Sequence, residues 1–347
     1  MKKIKIEKIP SVFRHVNLEN EVWMGPRVIA DEGAMIIVEA GENDGKNDIF
    51  DFINGRLGRL VKGDIVPAVL GFRKAPVEFA GVVPRRVRVG DELQLLCESG
   101  VVGKISGVFE AWGKPRRVKV LGSIVNDEGK HLNLKSYKMP KVKPIAKKIP
   151  IVCFISTRMD SGKTIMACKV THYFKMRGKK VAAMKPTGVA FSQDPYKLLD
   201  NGAAPVLDFL DMGLPSTCGP NGVEVVEATK NILNHVKQTD PDMIVMEFGE
   251  GILGEYHVAD ILMNKNIRDQ ISFVVLAAND LAGIYGAREI LKSYGVGIDC
   301  VTGPIANSRV GIDLIKKNFG LLAESNQHDI KKTVSAINKK VFSKKKK

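Results

Sequence analysis

The chain has 347 residues, a formal charge of +15, 44% hydrophobic residues and 26% charged residues. That length exceeds one ordinary core and suits two domains, and the composition is that of a soluble globular chain. No apolar run approaches the roughly 20 residues of a bilayer span, and Met1-Lys2-Lys3-Ile4-Lys5 leads into no signal-peptide core. A cytoplasmic protein with no membrane partner is expected.

In the first part of the chain, short β-type runs (Met35-Ile36-Ile37-Val38, Leu93-Gln94-Leu95-Leu96, Val118-Lys119-Val120-Leu121) alternate with turn signals such as Gly63-Asp64 and Gly90-Asp91. The spacing predicts a β-rich barrel or sandwich over residues 1–137, with one short helix around 48–60. His15 and His131 are isolated, which favours solvated or satisfied side chains over ligands. Residues 1–148 hold 27 Lys+Arg against 18 Asp+Glu. Such a surplus attracts polyanions, but no helix-turn-helix, aromatic RNP-like motif or zinc finger accompanies it, so nucleic acid is an open but unfavoured partner. Residues 138–148, rich in lysine and proline, read as a solvated linker.

From residue 149 to 347 the pattern becomes strand alternating with helix, ending in the basic tail 344–347. The apolar run Ile151-Val152-Cys153-Phe154-Ile155 suits a strand buried on both faces. Ile165, Met166, Val170, Tyr173 and Phe174 follow at helical spacing. Between them lies Thr157-Arg158-Met159-Asp160-Ser161-Gly162-Lys163-Thr164, a phosphate-binding loop in which Thr157 stands where the usual pattern has its first glycine. Such a turn presents backbone N–H groups at a positive helix end, with Lys163 for the β- and γ-phosphates and the Thr164 hydroxyl for Mg2+.

Further β runs at 181–184, 243–246, 273–277 and 299–302, with helices over 223–236 and 282–293, predict an α/β fold: a P-loop NTPase domain with a mainly parallel sheet, preceded by a smaller β-rich domain. Ligands collect at the carboxyl ends of such strands. Lys185, in Lys185-Pro186-Thr187-Gly188, ends the second; a phosphate or carboxylate partner and a plain surface lysine are both open. Glu247 ends the third, inside a Gly-rich stretch where an acid can hold Mg2+, with Glu250 as competitor. Asp208 and Asp211 are three apart and would share a helix face, which permits joint metal or substrate contact, with Asp208 as the metal candidate and the choice between the two open, or a solvated acidic face. The cysteines, Cys97, Cys153, Cys168, Cys218 and Cys300, form no C-x-x-C pair, and reduced buried thiols are the default.

Taken together, these motifs resemble the dethiobiotin-synthetase-like and cobyrinate-amidase-like branch of P-loop proteins, which also holds the molybdenum-cofactor accessory GTP-binding protein and the ParA/MinD ATPases. Lys185-Pro186, the Glu247 to Gly251 stretch and Ala306-Asn307 look like the family's motifs after successive strands. The resemblance covers about 149–325 and implies ATP and Mg2+ as cofactors, with Asn307 at the adenine edge. The segment around Asp208-Phe209 is similar to uncharacterised two-domain relatives linked to N-acylated amino-acid metabolism. Ser156-Thr157-Arg158-Met159 departs from the family's Gly-Thr opening, and Phe248 and Glu250 interrupt its acidic Gly-rich motif, so biotin synthesis itself is not implied. Arg158 occupies the slot where one branch carries an extra lysine reaching across a dimer; an exposed loop arginine is the alternative.

The reading is an ATP-dependent ligase or kinase-like enzyme that phosphorylates a carboxylate or carbamate of a small anionic metabolite, expected to be a homo-oligomer. Lys163 would stabilise the transferring group, Thr164 and Glu247 the metal, and Lys185 the acceptor. The alternative is a ParA/MinD-like ATPase switch whose basic domain binds a nucleic acid or protein.

Overall fold

The computed structural model describes residues 1–43, 45–46 and 48–343, so the 344–347 tail lies outside the described residues. The chain divides into two units. One comprises Met1–Pro140, Gly188–Gln193 and Phe209–Asn221; the other comprises Lys141–Thr187, Asp194–Asp208 and the chain from Gly222 onward.

The first unit contains β1 (Lys2–Lys5), β2 (Glu21–Gly25), β3 (Met35–Ala40), β4 (Phe50–Asp51), β5 (Leu57–Gly58), β6 (Ile65–Leu70), β7 (Arg73–Lys74), β8 (Phe79–Val82), β9 (Glu92–Cys97), β10 (Val101–Val108) and β11 (Arg117–Val125). Strands β11, β3, β6, β10 and β9 pair in succession, and β9 pairs back onto β11. Five strands therefore close a barrel, which leaves no free edge among them. Alternate residues, among them Ile36, Val38 and Ala40 on β3, Val66, Ala68 and Leu70 on β6, and Val118 and Val120 on β11, form one buried cluster. Period-two burial of this kind is what a pleated strand dictates.

The helix expected around 48–60 is instead the β4–β5 hairpin. Asn54-Gly55 decides the matter: Gly55 adopts φ +80, and the Asn54 side chain accepts from the Arg56 N–H (3.1 Å), fixing a turn where a helix would need continuous αR residues. The hairpin delivers a fully buried Asp51, whose carboxylate accepts from Ser11 Oγ (2.5 Å), Ser192 N–H (2.8 Å) and Ser192 Oγ (2.7 Å). Those bonds hold 188–193 to this unit.

The second unit carries seven parallel strands, β12 (Ile151–Ser156), β13 (Val181–Lys185), β14 (Val206–Asp208), β15 (Met243–Glu247), β16 (Ile271–Ala277), β17 (Cys300–Thr302) and β18 (Leu322–Ala323), in the order β14-β13-β15-β12-β16-β17-β18. Its helices are α1 (Lys163–Lys175), α2 (Gln193–Asp200), α3 (Gly222–Gln238), the short α4 (Val258–Met263) and α5 (Lys265–Arg268), α6 (Leu281–Ser293), α7 (Arg309–Phe319) and α8 (Lys331–Ile337). Every residue of β12 is buried, as its unbroken apolar run requires. On one face Val152, Phe154, Val181, Ala183, Val245 and Val275 pack with Met166, Val170 and Phe174 of α1 and Val334 and Ile337 of α8. This packing fixes α1, and with it the loop before α1, against the central strand.

Residues 138–148, the expected linker, have no regular structure and are mostly exposed, but from 141 onward the segment is tied to α3 and the residues that follow it. Val142 and Ile145 donate their N–H groups to the side chains of Asn231 and Asn234 on α3 (3.1 and 3.3 Å), and Lys147 pairs with Asp240. A chain that forgoes internal hydrogen bonds has found external ones. The double variant Asn231→Ala/Asn234→Ala should therefore be cut by trypsin within 141–148 roughly tenfold faster than the parent, the effect of two net hydrogen bonds on local opening. Equal cutting rates would show that these anchors hold nothing.

Candidate nucleotide site

The turn from β12 into α1 needs two left-handed residues, Asp160 (φ 55) and Gly162 (φ 84). Asp tolerates that region, and glycine is required at 162 on a second count, since a Cβ there would lie 2.1 Å from Asn326 Nδ2. Thr157 shows no positive φ, which is why the first loop position does without glycine here. The room is provided by neighbours instead: a Cβ on Gly251 would come within 2.6 Å of the Thr157 carbonyl oxygen. Ser156 and Ser161 both donate to the Arg158 carbonyl, Ser156 at 2.7 Å, tightening the loop.

Lys163 opens α1 and is 5% exposed; its Nζ donates to Ser156 Oγ (2.7 Å) and Arg158 O (3.5 Å), both neutral. Burial pulls its ammonium below the ordinary lysine value while Glu247 pulls back. Beside it the Thr164 hydroxyl donates to Glu247 Oε1 (2.5 Å) at the end of β15. Glu247 is 1% exposed and its other oxygen, Oε2, is buried with no hydrogen-bond donor among the described residues. Burial, and then the nearby Asp194, raise its pKa against the counter-pull of Lys185. An acceptor-only oxygen left without a donor next to a threonine hydroxyl suits a hard, oxygen-liganded cation. Among the described residues no group of three or more His, Cys, Asp or Glu could hold a metal by itself. Mg2+ in phosphate sites needs fewer, since substrate oxygens and water complete its shell.

Lys185 ends β13 and is 6% exposed, which excludes a plain surface lysine. It is ion-paired with Asp194 in the first turn of α2. Burial opposes the charge on each member, but the pairing wins: Lys185 is raised and Asp194 lowered. Asp194 carried no motif, and sequence reasoning missed it. Asn326, also missed, donates its Nδ2 to the Gly162 carbonyl (3.1 Å) across the loop. Asn279 Oδ1 and Thr302 Oγ1, just beyond or at the ends of β16 and β17, are buried polar atoms without hydrogen-bond partners among the described residues, and a Cβ on the adjoining Gly303 would meet the Ser161 carbonyl at 2.8 Å.

Asp208 ends β14 in register with Lys185 and is buried. Asp211 does not share a helix face with it. The strand ends at Asp208, a 3-10 turn follows, and Asp211 sits in the other unit with His15 Nε2 3.1 Å away. Glu250 is buried and lies among the charges acting on Lys163. Arg158 is exposed on the loop, its Nε donating to Met159 O (3.1 Å). Asn307 is exposed, and its Oδ1 accepts from Ser325 Oγ (2.8 Å). Asp280 is engaged as the N-cap of α6, accepting from the Gly283 N–H (2.6 Å). The five cysteines are buried and none is in a disulfide, and burial pushes Cys97, Cys168 and Cys300 up to about 12, so these three thiols stay protonated.

No protein-family model and no curated protein matches the chain. Solved structures similar to it include chloroplast FtsY from Physcomitrella patens, at 15% identity over 59% of this chain and 70% of that one, with a TM-score of 0.39. The Signal Recognition Particle 54 kDa protein from Aeropyrum pernix K1 in complex with GDP gives 17% identity over 55% and 46%, with a TM-score of 0.36. The kinase domain of the Escherichia coli tyrosine kinase ETK gives 14% over 44% and 66%, with a TM-score of 0.33. The assignment rests on the chain's own topology: a central parallel strand, a Gly-Lys-Thr turn and a helix, in a parallel sheet with an acid ending the adjacent strand. That is a P-loop nucleotide-binding domain. Among the described residues no helix is long and apolar enough to cross a membrane.

Proposed function

We propose that the second unit binds Mg·ATP and transfers a phosphoryl group to a carboxylate or carbamate of a small anionic metabolite, in the manner of the dethiobiotin-synthetase-like P-loop enzymes. The observation that carries it is the Thr164–Glu247 pair with its donorless Oε2. Lys163 and Lys185 face four buried or half-buried carboxylates, Glu247, Asp194, Asp208 and Glu250, which act electrostatically on one or both of the lysines. Acids outnumber cations there, so a triphosphate meets repulsion until a divalent cation arrives. Thr164 and Glu247 would hold that cation, with Asp194 and Asp208 as further acids at the same sheet edge. Mg2+ would supply charge neutralisation on the phosphates. Lys163 orients and neutralises the phosphoryl group, and the loop N–H groups fix the remaining oxygens. Lys185 would reach an acceptor anion by exchanging its Asp194 partner.

ATP is favoured over GTP because no Asn-Lys-x-Asp guanine-reading motif follows a late strand: Ala277-Ala278-Asn279-Asp280 has the aspartate without the lysine or the spacing, and Asp280 is engaged as a helix cap. Asn307, with its amide N–H group for a base edge, is the adenine reader in this proposal. Titration calorimetry with Mg·ATP and Mg·GTP checks it. A preference for ATP of about tenfold, eroded in Asn307→Ala, is expected from one or two base-edge hydrogen bonds. Equal affinities in the parent would remove Asn307 from the site, and phosphate release that no small carboxylate or amine plus bicarbonate stimulates would remove the transfer reaction.

Arg158 supports a second reading, a nucleotide-driven dimer, because an exposed loop guanidinium bonded to its own loop is free to reach a second copy. A molecular mass that doubles with a non-hydrolysable ATP analogue, and not in Arg158→Ala, would favour that switch.

A further inference from the structure

Residues 144–148, the C-terminal half of α3 and α5 line an open cavity of about 620 Å3. The segment runs on into the start of β12, and Gln270, another lining residue, precedes β16. The cavity therefore lies at the amino ends of the strands, whereas the phosphate loop lies at their carboxyl ends. Its volume falls within the roughly 300–1,000 Å3 of small-molecule sites.

The lining is strongly cationic. Lys148, Lys230, Lys237 and Lys265 face it, against one carboxylate, Asp269. Asp269 is answered by Arg268 (3.6 Å), and Lys230 by Glu227 (2.7 Å). Among the described residues Lys148, Lys237 and Lys265 have no ion-pair partner. Lys237 is the informative one, at 6% exposed. Its ammonium donates to the Ile145 carbonyl (3.3 Å) and to Gln270 Oε1, both neutral, which leaves the third of its three N–H donors unengaged. Burying an ammonium without an anion is costly, and the burial pulls its pKa down. The carbonyl end of α3 supplies only about half a charge, too little to answer three ammonium groups.

We propose that this cavity binds a small polyanion, a metabolite carrying two or more carboxylate or phosphate groups, held by Lys148, Lys237 and Lys265. Such a ligand would answer the charge on Lys237 and brace the 141–148 segment against α3. The two exposed lysines supply attraction at the rim, and Lys237 supplies the fixed donor inside.

The test uses the full chain carrying Lys163→Ala, so that the phosphate loop does not contribute, titrated at constant ionic strength with pyrophosphate and, separately, with citrate. Saturable binding of at least one, with Kd below about 1 mM, and a loss of at least about tenfold on adding Lys148→Ala/Lys265→Ala, is the expected result. Pyrophosphate alone identifies a phosphate-bearing ligand, citrate alone a carboxylate, and both a site that reads charge. No saturable binding, or binding indifferent to the two substitutions, overturns the proposal. Should the substituted chain fail to fold, acylation of the unsubstituted lysines decides instead. Lys148 and Lys265 should be protected by whichever anion binds, read by mass spectrometry, and unchanged labelling at saturating anion overturns the site.

Discussion

Lys163→Ala is expected to weaken Mg·ATP binding by at least about a hundredfold while leaving the fold intact. A charge-assisted hydrogen bond contributes about 1.5–3 kcal/mol, and a loop lysine meets two phosphates, so about 3 kcal/mol or more is at stake. Stability should move little, for a specific reason. The Lys163 ammonium is buried against two neutral acceptors and its pKa is pulled down by that burial, so the apo fold gains little from its charge. Calorimetry measures the first part and thermal unfolding the second. Unchanged ATP affinity would remove Lys163 from the phosphate site. A variant that no longer unfolds cooperatively would show that the ammonium instead holds the loop through Ser156.

What the sequence made legible was local. An apolar run, a Gly-Lys-Thr turn and a helical repeat specify β12, the loop and α1 because each depends on neighbours in the chain. Lys163, Thr164 and Glu247 were legible as strand-end and loop residues, since parallel strands place their carboxyl ends on one edge. What stayed hidden was non-local. Asn326 reaches the loop from 164 residues away, and β9 closes the barrel by pairing with both β10 and β11. Asp194 follows Phe191-Ser192-Gln193, which reads as an ordinary polar turn, and only the folded chain shows its carboxylate on Lys185. Asp208 and Asp211 misled for a different reason: spacing of three means one face only within a helix, and the chain there is a strand end running into a 3-10 turn. The 141–148 stretch misled through composition, because lysine and proline describe a chain without internal hydrogen bonds, and not whether a neighbouring helix offers side-chain amides.

Breaking the Lys185–Asp194 pair should separate its structural role from its chemical one. Lys185→Ala leaves Asp194 without its cation beside a buried Glu247. Removing one partner of a fully buried pair costs about 3–5 kcal/mol, and because the Asp194 side chain keeps 23% exposure the loss here should be nearer about 2–3 kcal/mol. If Lys185 also holds the acceptor anion, substrate-stimulated phosphate release should fall by a further factor equivalent to about 2.7–4 kcal/mol, with ATP affinity changed only a few-fold. The neutral pair Lys185→Met/Asp194→Asn, compared with Asp194→Asn alone, isolates the lysine. Stability should recover in the double variant because no uncompensated charge remains, while coupled turnover should stay low. Chemical denaturation, calorimetry and phosphate release on the same three proteins supply the comparison. Recovery of turnover together with stability would make Lys185 a counter-charge for Asp194 and nothing more. A collapse of ATP affinity would place Lys185 in the nucleotide site, so that the acceptor pocket must be sought away from the end of β13.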